Sequence, residues 1–209
     1  MTLEETRKRI LEDDEFVASE TKKLQELFKL KKVIRYHFDR TEKHETESVA
    51  EHVYAMHVLV HYFLPLEDPN NSLNIHRIYG MIQYHDIDEI ITGDKIGYLK
   101  TQADRETEAL AAQQIITRIP TSMQRYATEL LNEYEEQKTI EAQFTKAIDR
   151  IEPTFHLYRK EGKDICHFHN ANIEDHFKIK DPYTQRFPCI HRFNKVIGNA
   201  MIDEGFFTA

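Results

Sequence analysis

With 209 residues, 40% hydrophobic and 31% charged, the chain can bury one sizeable core but not comfortably two domains. A net charge of −8 without a basic stripe excludes a nucleic-acid polymer as partner, and no apolar run approaches the length of a membrane span. The two cysteines, Cys166 and Cys189, make no disulfide framework, and the opening "MTLEETRKRILEDDEF" lacks the apolar centre of a signal peptide, so the expected setting is cytoplasmic.

Six glycines and six prolines among long helix-forming stretches predict an all-α fold. Helices are expected at about 3–15 and 19–32, followed by a polar connector, "VIRYHFDRTEKHETE" (33–47). Ser48 with Glu51 makes a capping box that opens a helix over 48–64. "PLEDPNNS" (65–72) is a loop on turn chemistry, and a helix over 73–92 ends at Gly93, as a C-terminal glycine would end it. Helices at 102–118 and 121–137 are separated by Pro120, and another covers 139–159. Residues 160–189 lose periodicity at "GKD", "NAN" and "KDPYTQRFP" and are expected to be irregular before a last helix, 190–203, packs back. The expectation is one domain over 1–159, with 160–209 an extension packed on it.

The 12 histidines are the unusual feature of the composition, since His is the commonest metal ligand. In the helix from Ser48, Val49, Val53, Met56 and Val60 form an apolar stripe. His52 lies beside it, on the line of Met56, Leu59 and Phe63, and should point inward or into a crevice. His57 and His61, four apart on another face, could also chelate. The next helix carries "YHDIDEIITGD" (84–94), acids inside an apolar run. His85 and Asp86 leave the axis about 100° apart and can both reach one metal lying between their directions. Glu89 follows on the same side one turn on, placed to touch a metal-bound water. Asp88 projects roughly opposite to Asp86 and is expected to face solvent, while Asp94 stands at the mouth of the next segment. In "TIEAQFTKAIDRIEP" (139–153), Asp149 borders the stripe Phe144, Ala147, Ile148 and Ile151, with Arg150 beside it. It can be a solvated acid, an ion-pair partner of Arg, or a ligand.

Read together as His…His-Asp…Asp, the segments "ESVAEHVYAM" (47–56), "HDIDEIITGD" (85–94) and "FTKAIDRIE" (144–152) resemble the HD-domain metal-dependent phosphohydrolase superfamily. Within it the chain is similar to the small bacterial HD-domain 5′-deoxynucleotidases and their eukaryotic relatives, over roughly residues 20–157. The resemblance implies an HD-domain helical bundle, commonly a homodimer, acting as a 5′-nucleotidase on a small nucleotide. It implies His52, His85, Asp86 and Asp149 as ligands of one divalent transition metal (Co2+, Mn2+, Zn2+, Fe2+ or Ni2+), a donor set that leaves positions open for water and a phosphate oxygen. Glu89 would orient or deprotonate that water, or protonate the leaving 5′-oxygen. Asp94 would hold the sugar 3′-hydroxyl, with Arg35 and Tyr36 near phosphate and sugar and Arg40 and Lys95 as further phosphate partners. The family pairs Arg with Trp; here Tyr36 follows Arg35 and the chain has no Trp.

A triphosphohydrolase acting on deoxynucleoside triphosphates would need more cations than stand near these motifs. Alarmone or cyclic-dinucleotide hydrolases of this class usually carry longer or paired motifs. A non-catalytic binding module with a structural metal would need neither Glu89 nor Asp94. "CHFH" (166–169) lacks a second Cys pair at zinc-finger spacing, and His44, His76, His156 and His191 read as surface or packing residues.

Overall fold

Side-chain caps set most of the helix starts in the computed structural model, which describes residues 2–37, 46–95 and 100–208. Thr2 and Glu5 close a capping box on α1 (Leu3–Glu12), and Asp13 breaks the chain and caps α2 (Asp14–Leu27), which runs into a 3-10 turn over Phe28–Lys32. Ser48 and Glu51 form the expected capping box on α3 (Val49–Glu67), a device worth about 1 kcal/mol. Asn74 caps α4 (Ile75–Tyr84), and Thr101 with Asp104 caps α6 (Gln102–Arg118). After Pro120 comes α7 (Thr121–Glu136), ended by Gln137 in the left-handed conformation, and Thr139 caps α8 (Ile140–Leu157). Among the described residues there is no strand, only an isolated antiparallel bridge between Ile34 and Ser48. No described helix is long and apolar enough to cross a membrane.

Two expectations are corrected. The helix expected over 73–92 is two, α4 and the single turn α5 (Glu89–Thr92). Between them the backbone tightens: the N–H groups of Ile87, Glu89 and Ile90 donate to carbonyls three residues back, not four. Residues 160–184, expected to be irregular, form α9 (Lys160–Phe168) and α10 (Ile173–Thr184) ahead of α11 (Pro188–Asp203). The breakers mark joints between these helices. Gly162 lies where a Cβ would meet the Leu157 carbonyl oxygen at 2.0 Å, Asn170 takes φ 50°, and Asn172 caps α10.

Helix α8 is the hub, packing against α3, α4, α7, α9, α10 and α11. Met56, Phe63, Ile78, Phe144, Ile148 and Ile190 form one core around it, and Met81, Ile87, Ile115, Leu130 and Tyr134 form a second. The final helix lies over α8 and α3, while Cys166, Met201 and Phe206 make a third cluster under the C-terminal helices. Because α3, the α4–α5 joint and α8 share these cores, polar residues on their inner faces are forced toward one another.

Candidate active site

His52 is fully buried because Val49, Met56 and Phe63 hold that face of α3 inward. Its Nδ1 donates to Glu152 Oε2 at 2.7 Å. Its Nε2 stands 3.5 Å from Asp149 Oδ1 and 3.9 Å from Asp86 Oδ2. His85, at the end of α4, donates from Nδ1 to the Ile82 carbonyl at 2.9 Å. That places its Nε2 3.0 Å from Asp86 Oδ2 and 3.9 Å from Asp149 Oδ1. Among the described residues, both Nε2 atoms are buried without a hydrogen-bond partner. Donor atoms of His52, His85 and Asp86 all lie within 4.8 Å of one another. An unsatisfied buried polar atom costs about 1–3 kcal/mol, and two imidazole nitrogens facing two carboxylates fit a divalent transition metal. Against burial and Arg35, the carboxylates Glu152 and Asp149 push His52 up to about 10. That is a measure of how negative the pocket is. A divalent cation neutralises the same field and takes imidazole in its neutral form.

Asp149 is aimed by its neighbours. Its second oxygen accepts from the Tyr134 hydroxyl at 2.8 Å and pairs with Lys146 Nζ at 3.1 Å, leaving Oδ1 toward the imidazoles. Asp149→Ala is expected to lower metal content per subunit sharply, read by elemental analysis after dialysis. Full retention would give the fourth position to another residue.

Sequence reasoning missed the layer behind these groups. Glu152, 1% exposed, accepts from His52 Nδ1 and, at 3.2 Å, from Arg35 Nη1. Arg35 also donates to the buried Glu47, whose other oxygen lies 3.3 Å from His156 Nδ1. A carboxylate behind a ligating imidazole fixes its tautomer and orientation. Glu152 was findable, since it lies one turn after Asp149 on the same helix. Glu47 was not, since only the fold brings the two ends of the connector together and sets Glu47 beside Arg35.

A cavity of about 670 Å3 opens on this cluster. Glu89, at the start of α5, lines it with Oε2 buried and unpartnered. Burial, with Asp86 and Asp94 adding charge, pushes its carboxyl well above the usual range. Asp88 is a correction: it is buried in the cavity wall, and burial together with Asp86 and Glu108 raises it to about 7. The reason is the tightened backbone at 85–88, where successive side chains no longer follow the spacing of a continuous helix. Asp94 Oδ2 accepts from the Tyr36 N–H at 3.0 Å, and its Oδ1 lies 3.9 Å from Arg35 Nε. Tyr36 takes φ 67°, stacks on His156 and stands beneath the Arg35 guanidinium. Lys95 lines the rim, paired with Asp104 at 2.6 Å. Arg40 and His44 lie outside the described residues. His57 and His61 both pack on Tyr79, and His167 and His169 hydrogen-bond the backbone carbonyls of Gly205 and Tyr36.

An all-helical bundle whose inner faces converge on paired imidazoles and carboxylates gives a His-Asp cluster that could hold a metal ion. The family model for the HD domain matches residues 27–191, and the chain belongs to that family. It is 31% identical to the human 5′-deoxynucleotidase HDDC2 over 123 residues, covering 58% of this chain and 57% of that protein. It is 32% identical to the Schizosaccharomyces pombe 5′-deoxynucleotidase hdd1 over 123 residues, 56% of this chain and 60% of that protein. The chain thus spans less than two thirds of these curated relatives. The fold is that of a crystal structure from Magnetospirillum magnetotacticum MS-1, described as a predicted metal-dependent phosphohydrolase. That match has a TM-score of 0.75 and 23% identity, covering 92% of this chain and 98% of the other.

Proposed function

We propose that this protein is a metal-dependent phosphohydrolase that releases phosphate from nucleoside 5′-monophosphates, with deoxyribonucleotides preferred. The observation that carries the reading is the pair of buried, unpartnered Nε2 atoms facing Asp86 and Asp149, with an unpartnered Glu89 oxygen in the wall of the same cavity. His52, His85, Asp86 and Asp149 would hold the ion, which, when bound, polarises a phosphoryl oxygen and acidifies water. Glu89 Oε2 serves as the proton-transfer group, its carboxyl raised well above the usual range by burial, with Asp86 and Asp94 adding charge. Asp94 is fixed by the Tyr36 N–H and directs its other oxygen to a sugar hydroxyl. Arg35 acts through Glu47 and Glu152, steadying the His52 side of the site, and its guanidinium covers Tyr36 near the sugar. Lys95, at the rim, is the remaining phosphate partner on this side. The names of the curated relatives support the nucleotide substrate.

The test is product analysis with the metal-loaded protein against mono-, di- and triphosphates. Free phosphate plus nucleoside supports the reading; tripolyphosphate plus nucleoside would replace it, and no product at all would leave a binding module. A cytoplasmic homodimer is the proposed setting. Tyr54, Val58, Tyr62 and Leu66 recur at spacings of four on the outer face of α3, all at least half exposed, and a second copy would cover them. Sedimentation equilibrium should give twice the 24.8 kDa chain mass, and a monomer at micromolar concentration would remove that part.

A further inference from the structure

The cavity continues past the His-Asp cluster along α8 and onto α10, where its wall holds two cations, the buried Lys180 and the half-buried Arg150. Lys180 on α10 is 9% exposed, and its Nζ donates to Thr154 Oγ1. Arg150 has its Nε buried without a hydrogen-bond partner among the described residues and its guanidinium 5.4 Å over the Tyr183 ring. The nearby carboxylates are engaged elsewhere. Asp149 is held by Tyr134 and Lys146, and Glu152 by His52 and Arg35. Asp175, the acid on the α10 side of the wall, accepts from Asn172 at 2.6 Å. Burial pushes the Lys180 ammonium down to about 7, with Glu152 opposing and Arg150 adding to the shift. Asp149 lies beside Arg150 and Glu152 acts on Lys180, but both carboxylates are already bonded to other groups, and an anion reaching the two cations from the cavity would add charge-assisted hydrogen bonds that neither carboxylate supplies.

We propose that this arm is an anion subsite in which Arg150 and Lys180 receive a second negatively charged group of the substrate, beyond the phosphate that is cleaved. The inference rests on the metal-dependent phosphohydrolase reading above and, within it, moves the preferred substrate from a simple monophosphate to an ester carrying a further phosphate. A simple nucleoside monophosphate offers only the scissile group. The arm therefore fits a phosphate ester carrying a further phosphate, either along the same chain or on another sugar position. From sequence, a longer phosphate chain was disfavoured by the scarcity of cations near the motifs, but folding adds Lys180 from a helix that carries no motif.

The test is calorimetric titration of the full chain, loaded with Mn2+ and carrying Glu89→Gln so that ligand is not consumed. The ligands are deoxyadenosine 5′-monophosphate, 3′,5′-bisphosphate and 5′-triphosphate. At least one of the multiply phosphorylated ligands is expected to bind about tenfold or more tightly than the monophosphate, and which one does so identifies the position of the second group. Lys180→Gln should reduce the preference to within about threefold, and Lys180→Arg should restore it. A second reading needs no substitution: acetylation of Lys180 by acetic anhydride, followed by mass spectrometry, should be slowed by the preferred ligand and not by the monophosphate. Equal affinities for the three ligands, or a preference untouched by Lys180→Gln in a protein that melts like its parent, would overturn the subsite. Phosphate release by the unaltered chain tests the hydrolase reading separately, because binding is read here whether or not the ligand is cleaved.

Discussion

Replacing Glu89 by glutamine is expected to lower kcat by about 100- to 10,000-fold, the range of a lost general acid or base, while metal content stays at the parent level. The two outcomes separate because of where Glu89 stands. It begins α5, after the tightened backbone that carries His85 and Asp86, and among the described residues its Oε2 has no hydrogen-bond partner, so that oxygen is not tied to any of the four proposed ligand residues. Glutamine keeps the shape and volume of the side chain, so the cores either side of the joint stay packed. What it removes is a carboxyl that burial, with the charges of Asp86 and Asp94, raises well above the usual range, and with it the group proposed to transfer the proton. Phosphate release and elemental analysis on the same preparation decide the matter. Parent-level activity would take Glu89 out of proton transfer, and metal lost together with activity would make it a ligand.

The parts of this site that sequence could reach are those governed by local rules. Helix α3 is written in its capping box and in the Val49, Met56 and Val60 stripe that places His52 inside. Gly93 at φ 70° ends the acidic segment as its position implied. Asp88 escaped because continuous helical spacing was assumed across four residues whose backbone tightens, and there the direction of every side chain changes. Helices α9 and α10 escaped because Gly162, Asn170 and Asn172 read as irregular chain, whereas each serves a close approach, a turn or a cap between regular segments. The network of Arg35, Glu47 and Glu152 was out of reach for another reason. Its members are 12 and 117 residues apart in sequence, and no local pattern reports a contact that only packing on α8 creates.

That network carries the second large expected effect. Glu152→Ala should weaken metal binding about 10- to 100-fold and lower unfolding stability by about 3–5 kcal/mol, although Glu152 is not among the four proposed ligands. Against the upward push of burial, His52 and Arg35 hold the Glu152 carboxyl down at about 2, so it is charged at every pH at which the protein would be assayed. Removing it leaves the Arg35 guanidinium with Glu47 as its close partner and leaves the His52 Nδ1–H, with no exposed surface, without an acceptor. Both losses are of buried groups, which water cannot compensate. Glu152→Gln separates the contributions, because its amide oxygen can still accept from Nδ1: orientation of His52 should largely survive while the charge is lost. Metal affinity by chelator competition should therefore fall less for Gln than for Ala, while urea unfolding should show a deficit in both. If Glu152→Ala binds metal as tightly as the parent, His52 is oriented by packing on α3 alone, and the buried carboxylate serves Arg35, not the metal site.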